Sequence, residues 1–271
     1  MRKKLGWLSL WCLGVGLVAC GPGEGKLTMQ VWGEAFIEDK IPASGVEDGW
    51  EIVFSKFLIV VGNVEMGAAA GAKGPSVAES KVFNLREKGE QTFATVPIAA
   101  GTWDRLAYSV LPANAQTQAG NASAEDTQKM KEQGYSIYLE GTATKDTQKK
   151  SFVWGFKTDT RYTGCKSERA VVQAGATAKT QMTIHADHFF YDDLESADAK
   201  VRFTAIAEAD KDGDGKVTLE ELAAVSGAAF AGLSNYGVGR FSQVKDLRAF
   251  VEHLSRTLGH IDGEGHCDVK L

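Results

Sequence analysis

The chain has 271 residues, with 30 Lys and Arg against 35 Asp and Glu, 44% apolar residues, 30 Gly, 5 His and 4 Cys. That balance excludes a basic nucleic-acid-binding protein, a chain disordered throughout and a cysteine-stapled mini-protein. It leaves room for one large domain, or for one domain with a smaller appendage.

Residues 1–19 open with Met1-Arg2-Lys3-Lys4 and continue as an apolar run from Leu5 to Ala19. A basic start followed by a short hydrophobic core is the pattern of an export signal, and a span of about 15 residues is short for a membrane-crossing helix. The run ends in Leu17-Val18-Ala19-Cys20-Gly21, which resembles the lipobox of bacterial lipoproteins. The resemblance implies cleavage before Cys20, lipidation of its thiol by palmitate-type chains, and, with Gly21 rather than Asp following, delivery to the outer membrane of the cell envelope. An ordinary signal peptide that happens to contain a cysteine is the alternative. Losing residues 1–19 leaves 252 residues, and losing Arg2, Lys3 and Lys4 moves the formal charge from −5 to −8.

Cys12 then leaves with the signal, so Cys165 and Cys267 remain outside the reducing cytosol and are expected to form a disulfide. Two metal-binding thiolates are the competing reading, although neither cysteine has a CxxC partner. Residues 20–26 read as a short lipidated tether. From Leu27 the pattern becomes strand-like. Trp50, Ile52 and Phe54 alternate, and Phe57, Ile59 and Val61 alternate one step out of phase, which predicts a bulge near Ser55-Lys56. Residues 67–78, rich in Gly and Ala, predict a loop, followed by a short strand at 81–85. Phe93, Thr95 and Pro97 form the next strand, 106–111 another, and the polar stretch 113–132 a loop or short helix. Tyr135, Ile137 and Leu139, the turn at Lys145–Gln148, and Phe152, Trp154 and Phe156 spell a hairpin. A strand at Gln181–His185 closes this half. The strands predict an antiparallel β-sandwich domain over 27–191.

Beyond it, 192–271 is expected to be a helical segment packed on the sandwich as a cap. Residues 194–209 and 219–231 permit helices. Val244, Leu247, Val251, Leu254 and Leu258 form an amphipathic stripe with Gly259 as its C-cap.

Asp210-Lys211-Asp212-Gly213-Asp214-Gly215-Lys216-Val217-Thr218-Leu219-Glu220-Glu221 matches the EF-hand calcium-loop template, and the chain resembles that family here. The match implies carboxylate ligands from Asp210, Asp212 and Asp214, the backbone carbonyl of Lys216, a hydroxyl or water-mediated contact from Thr218, and a bidentate Glu221. Gly215 permits the sharp turn, and Val217 takes the apolar eighth position. Asp262-Gly263-Glu264-Gly265 lacks the remaining ligands of a second loop. One unpaired loop fits a constitutive structural site better than a sensor; an acidic surface turn without an ion is the alternative.

His185-Ala186-Asp187-His188 is the second candidate. On a strand the two histidines diverge; on a helical turn they converge. With His260 and His266 near Cys267, the bridge to Cys165 can gather His185, His188, His260 and His266 into a copper or zinc site, against the reading of structural hydrogen bonds. Trp50–Val64 with Gly62-Asn63-Val64, the 81–85 segment and Ile98–Tyr108 with Ala100-Gly101-Thr102-Trp103 are similar to periplasmic copper-associated lipoproteins of the methanobactin-partner type. That resemblance implies a β-sandwich and copper handling.

No nucleophile elbow, phosphate loop or His-Glu-x-x-His pair is present. Asp187 with His185 or His188, completed by Asp192 or Asp193, is the one arrangement that fits a metal-assisted hydrolase. Trp103, Tyr135, Tyr138, Phe152 and Trp154 read as core and rim packing or as a ligand groove. The sequence therefore points to a calcium-binding envelope lipoprotein with a binding or structural role, partnered by the membrane and by an unidentified envelope protein or ligand. Copper or zinc handling and hydrolysis are the alternatives.

Overall fold

A computed structural model describes residues 23–270; the segment expected to be an export signal and Cys20, the expected lipidation site, lie outside them. In chain order the strands are β1 (Glu24–Trp32), β2 (Glu51–Gly67), β3 (Lys73–Asn84), β4 (Gln91–Ala99), β5 (Gly101–Thr102), β6 (Arg105–Val110), β7 (Gln118–Ala119) and β8 (Ile137–Lys145). They continue as β9 (Gln148–Phe156), β10 (Thr160–Lys166), β11 (Val171–Val172), β12 (Thr177–Ile184), β13 (Lys216–Val217), β14 (Gly259–Ile261) and β15 (Asp268–Lys270). The helices are α1 (Glu34–Glu38), α2 (Ala124–Gln133), α3 (Thr204–Ala207), α4 (Leu219–Ala224), α5 (Gly227–Ala231) and α6 (Leu247–Leu254). The protein is mainly β, with 43% strand and 19% helix.

β5 and β11 form a small two-stranded sheet; of the two larger sheets, one has the order β14-β12-β1-β4 and the other β13-β9-β8-β2-β6-β10-β15, with β3 pairing β2 and β7. Both are mixed rather than antiparallel: β1 runs parallel to β12, and β13 parallel to β9. Neither parallel pair joins consecutive strands, so the intervening chain is long enough to return and enter the second strand in the same direction as the first, which a hairpin cannot do. The predicted bulge is present, since the β2–β8 register shifts between Phe54 and Lys56. The shift keeps Phe54 and Phe57 on the same buried side although they are three residues apart.

Several expected boundaries move. The tether is shorter, because Glu24–Lys26 already pairs in β1. The stretch 67–78 is mostly strand: β3 starts at Lys73, and Gly74 packs flat against Trp103 where a Cβ would lie 3.0 Å from the indole. The C-terminal third is only partly helical, its helices running four to eight residues. In α6, Leu247, Phe250, Val251 and Leu254 are buried, and Asp246 caps the start by accepting from the Ala249 N–H at 2.8 Å. Gly259 is not its C-cap. It opens β14, where a Cβ would stand 2.4 Å from Tyr108 Oη and 2.5 Å from the Tyr162 ring, so only glycine lets this strand approach the stacked tyrosines.

A single apolar cluster joins both sheets to the C-terminal segment, drawing Leu27 and Met29 from one sheet, Phe54 and Trp154 from the other, and Phe203 and Phe250 from beyond. Residues 192–270 are also stitched in by hydrogen bonds, since β13 and β15 edge the large sheet and β14 edges the small one. Cys165 and Cys267 stand at disulfide distance with Cα atoms 4.3 Å apart, beside the β10–β15 pairing. Of the proposed groove aromatics, Phe152, Trp154 and Tyr138 are buried, and Tyr135 stacks on Tyr138.

Candidate metal centres

The first site lies where β12 ends against β14. His260 faces Thr183 across this antiparallel pair, and His185 follows the last residue of β12. A 3-10 turn over Ala186–Phe190 comes next, so His185 and His188 converge instead of diverging. One ring nitrogen each from His185, His188 and His260 lie within 4.8 Å of one another. Ligands around a tetrahedral zinc with bonds of about 2.0–2.1 Å are roughly 3.4 Å apart, so small side-chain rotations close the set. His266 is exposed, its ring centroid 5.3 Å from that of His260, and it stands beside the triad rather than in it. His253 stacks on Phe241 at 4.1 Å instead.

Hydrogen bonding sets the tautomers. His188 Nδ1 lies 2.9 Å from the carbonyl of Thr257, which can only accept, so Nδ1 carries the proton and Nε2 keeps its lone pair. His185 Nε2 lies 3.3 Å from the carbonyl of Gly263, which accepts its proton when no ion is bound there. His260 Nδ1 is buried with no hydrogen-bond partner. Burial, and then the neighbouring imidazoles of His185, His188 and His266, push His260 down to about 3. Burial also lowers His188. His188 and His260 are therefore neutral near pH 7, the form that binds a metal.

Three groups around the triad were not assigned to it from the sequence, where Asp262 and Glu264 read only as an incomplete second acidic loop. Glu34, about 150 residues earlier, brings a carboxylate oxygen to 3.7 Å from His185 Nε2. Burial raises its pKa, opposed by His185. Glu34 has φ 56°, a left-handed conformation that costs a non-glycine residue of order 1 kcal/mol. Glu34, His185 and Glu264 form a second set with ligand atoms within 4.8 Å of one another. Asp262, also left-handed at φ 49°, holds the turn that carries Glu264. Its carboxylate accepts from Ser167 Oγ at 2.6 Å, Thr180 Oγ1 at 3.3 Å and the Gln181 N–H at 2.9 Å.

The hydrolytic arrangement does not assemble as expected. Asp192 is engaged by Arg202 and the Lys200 N–H, and Asp193 accepts from the N–H groups of Glu195 and Ser196. Asp187 does stay by the triad: Oδ2 accepts from Tyr191 Oη at 3.2 Å, while Oδ1 is buried without a partner.

The second site is the acidic loop between α3 and α4. Oxygens of Asp210, Asp212 and Glu221 lie within 4.8 Å of one another. Asp210 accepts from the N–H groups of Gly213 at 2.8 Å and Gly215 at 2.9 Å, and both glycines have positive φ, 76° and 81°. Lys150 donates to Asp210 at 2.5 Å and, with those N–H groups, holds the carboxyl below its ordinary value. Asp214 is outside this triad, bonded to the Lys216 N–H and 3.4 Å from its ammonium. Thr218 caps α4, accepting from the Glu221 N–H and donating to Glu221 Oε2. Lys216 and Val217 pair in parallel with Ser151 and Phe152 of β9, and Trp154 donates to the Val217 carbonyl at 2.9 Å.

Comparison with protein-family models, curated proteins and solved structures gives no match for this chain.

Proposed function

We propose that this protein is a metal-binding lipoprotein of the cell envelope, in which His185, His188 and His260 hold a copper or zinc ion. The observation that carries this reading is the imidazole triad, in which His185 and His260 are buried and His188 half-buried, and whose His260 Nδ1 has no protein partner. An unpaired buried polar nitrogen costs about 1–3 kcal/mol, and a metal bond removes that cost. Three imidazoles suit zinc or copper far better than calcium. The similarity to copper-associated lipoproteins, which carries the β-sandwich reading of the two sheets, points the same way. The lipobox-like Leu17–Gly21 supplies the anchor to the outer membrane.

The acidic loop supports a second, structural role: calcium held by Asp210, Asp212 and Glu221, with Asp214, Lys216 and Thr218 completing the shell. A loop of this kind ordinarily pairs its apolar eighth residue with a second loop. Here Val217 pairs with β9, so the large sheet stands in for that partner and calcium fixes the C-terminal segment to the sheet. Catalysis has less support, because Asp192 and Asp193 are committed elsewhere.

Elemental analysis of mature protein purified without added metal tests both sites together. One equivalent of copper or zinc, lost in His188→Ala, is the expected result. Protein that takes up neither from a stoichiometric mixture refutes the triad reading.

A further inference from the structure

We propose that Glu34 and Glu264 form an outer receiving position for a divalent first-row metal ion and pass it through His185 to His188 and His260. This rests on the triad being a metal site and adds the route by which the ion reaches it. The inner set, His185, His188 and His260, and the outer set, Glu34, His185 and Glu264, share one residue, His185. Exposure falls from the outer pair to His185 and His260: Glu264 is exposed, the Glu34 side chain is 20% exposed, and His185 and His260 are 7% and 6% exposed, with His188 half-buried.

The donor chemistry runs in the same direction. Imidazole nitrogens carry no net negative charge and so exert little long-range pull on a cation. Carboxylates do attract cations at a distance, and their harder oxygens bind late first-row ions less firmly than imidazole nitrogen does. An ion drawn to Glu34 and Glu264 thus gains in donor strength as it moves inward, and the shared His185 lets it exchange one ligand at a time. The buried Asp187, whose Oδ1 has no partner, lies beside the inner set through Tyr191, which packs on His188.

The backbone at Glu34 favours a dedicated role over a chance ion pair. Glu34 adopts φ 56°, and it follows Gly33, where a Cβ would lie 2.8 Å from Leu85 Cβ and 3.0 Å from Ile37 Cδ1. The chain accepts both a residue-specific close approach and a left-handed glutamate at the point that aims this carboxylate at His185.

Stopped-flow binding of Co²⁺ to the full mature protein tests the route, with the isosteric Glu34→Gln/Glu264→Gln variant against the unchanged protein. Steering by local charge is worth tenfold or more in association rate. The expected result is about a tenfold slower association in the variant at low salt, with a flatter salt dependence. The final visible Co²⁺ spectrum should be unchanged, because the three nitrogen donors remain. An association rate equal to that of the unchanged protein overturns the route, and so does an altered end-point spectrum, which makes the carboxylates resident ligands. Absence of any Co²⁺ spectrum in the unchanged protein instead refutes the triad reading and takes the route with it.

Discussion

Asp262 is the residue whose removal most directly tests how the C-terminal turn is held against the sheet. Replacing it with Ala strips the acceptor from Ser167 Oγ, Thr180 Oγ1 and the Gln181 N–H, three donors on residues no more than 2% exposed. Each buried donor left unpaired costs about 1–3 kcal/mol. The two hydroxyls soften the loss, because Thr180 Oγ1 already donates to Ser167 Oγ at 3.0 Å and both can rotate. The Gln181 N–H is fixed in β12 and cannot. The Asp262 side chain is 11% exposed, so water reaches part of the gap. These features set the expected loss at about 2–4 kcal/mol rather than the full sum. Asp262→Asn keeps an acceptor oxygen and a side chain that tolerates left-handed backbone, and should lose only about 1 kcal/mol. The turn also carries Gly263, whose carbonyl lies 3.3 Å from His185 Nε2, so Ala at 262 should weaken zinc or copper binding by about 10–100-fold, the usual effect of removing support behind a ligand. Urea unfolding of the metal-free proteins, followed by metal titration, measures both. A midpoint for Asp262→Ala matching that of the unchanged protein refutes the reasoning.

Calcium at 100 times its Kd should stabilise the protein by about 2.7 kcal/mol in thermal unfolding. Asp210→Ala should abolish that gain, and Lys150→Met should tighten calcium binding, because the ammonium now on Asp210 competes with the ion. Calorimetry showing no saturable calcium uptake removes the loop from the account. In chelator, acidification should destabilise the fold: His260 is held at about 3, below its ordinary 6.5, so the unfolded chain takes up the proton first. The stability from keeping it neutral is complete above pH 6.5 and is lost as pH falls toward 3, at most about 2–3 kcal/mol of it by pH 4.5. Flat stability between pH 6.5 and 4.5 contradicts this. Cys165 and Cys267 are 102 residues apart, and reducing their bridge should cost about 4–5 kcal/mol in the chain-entropy account, read as a lower denaturation midpoint under reductant. Two free thiols by intact mass under non-reducing conditions remove the premise.

Local chemistry was legible from the residues alone. The out-of-phase runs around Ser55-Lys56 determine a bulge, because side chains alternate strictly along a strand and both halves of β2 must turn their aromatics inward. The turn at Lys145–Gln148 determines a hairpin, and the spacing of Asp210, Asp212 and Glu221 brings their oxygens together, because a twelve-residue loop with two left-handed glycines closes on itself. What required the tertiary structure is everything joined across distance. Whether His185 and His188 converge depended on the chain leaving β12 into a 3-10 turn, a choice made by packing Phe189 and Phe190 into the core. The parallel β1–β12 pairing, the pairing of Lys216 and Val217 with β9, and the arrival of Glu34 beside His185 leave no periodic trace in the sequence. A period reports which face of an element is buried, and only the assembled sheets decide what that face meets.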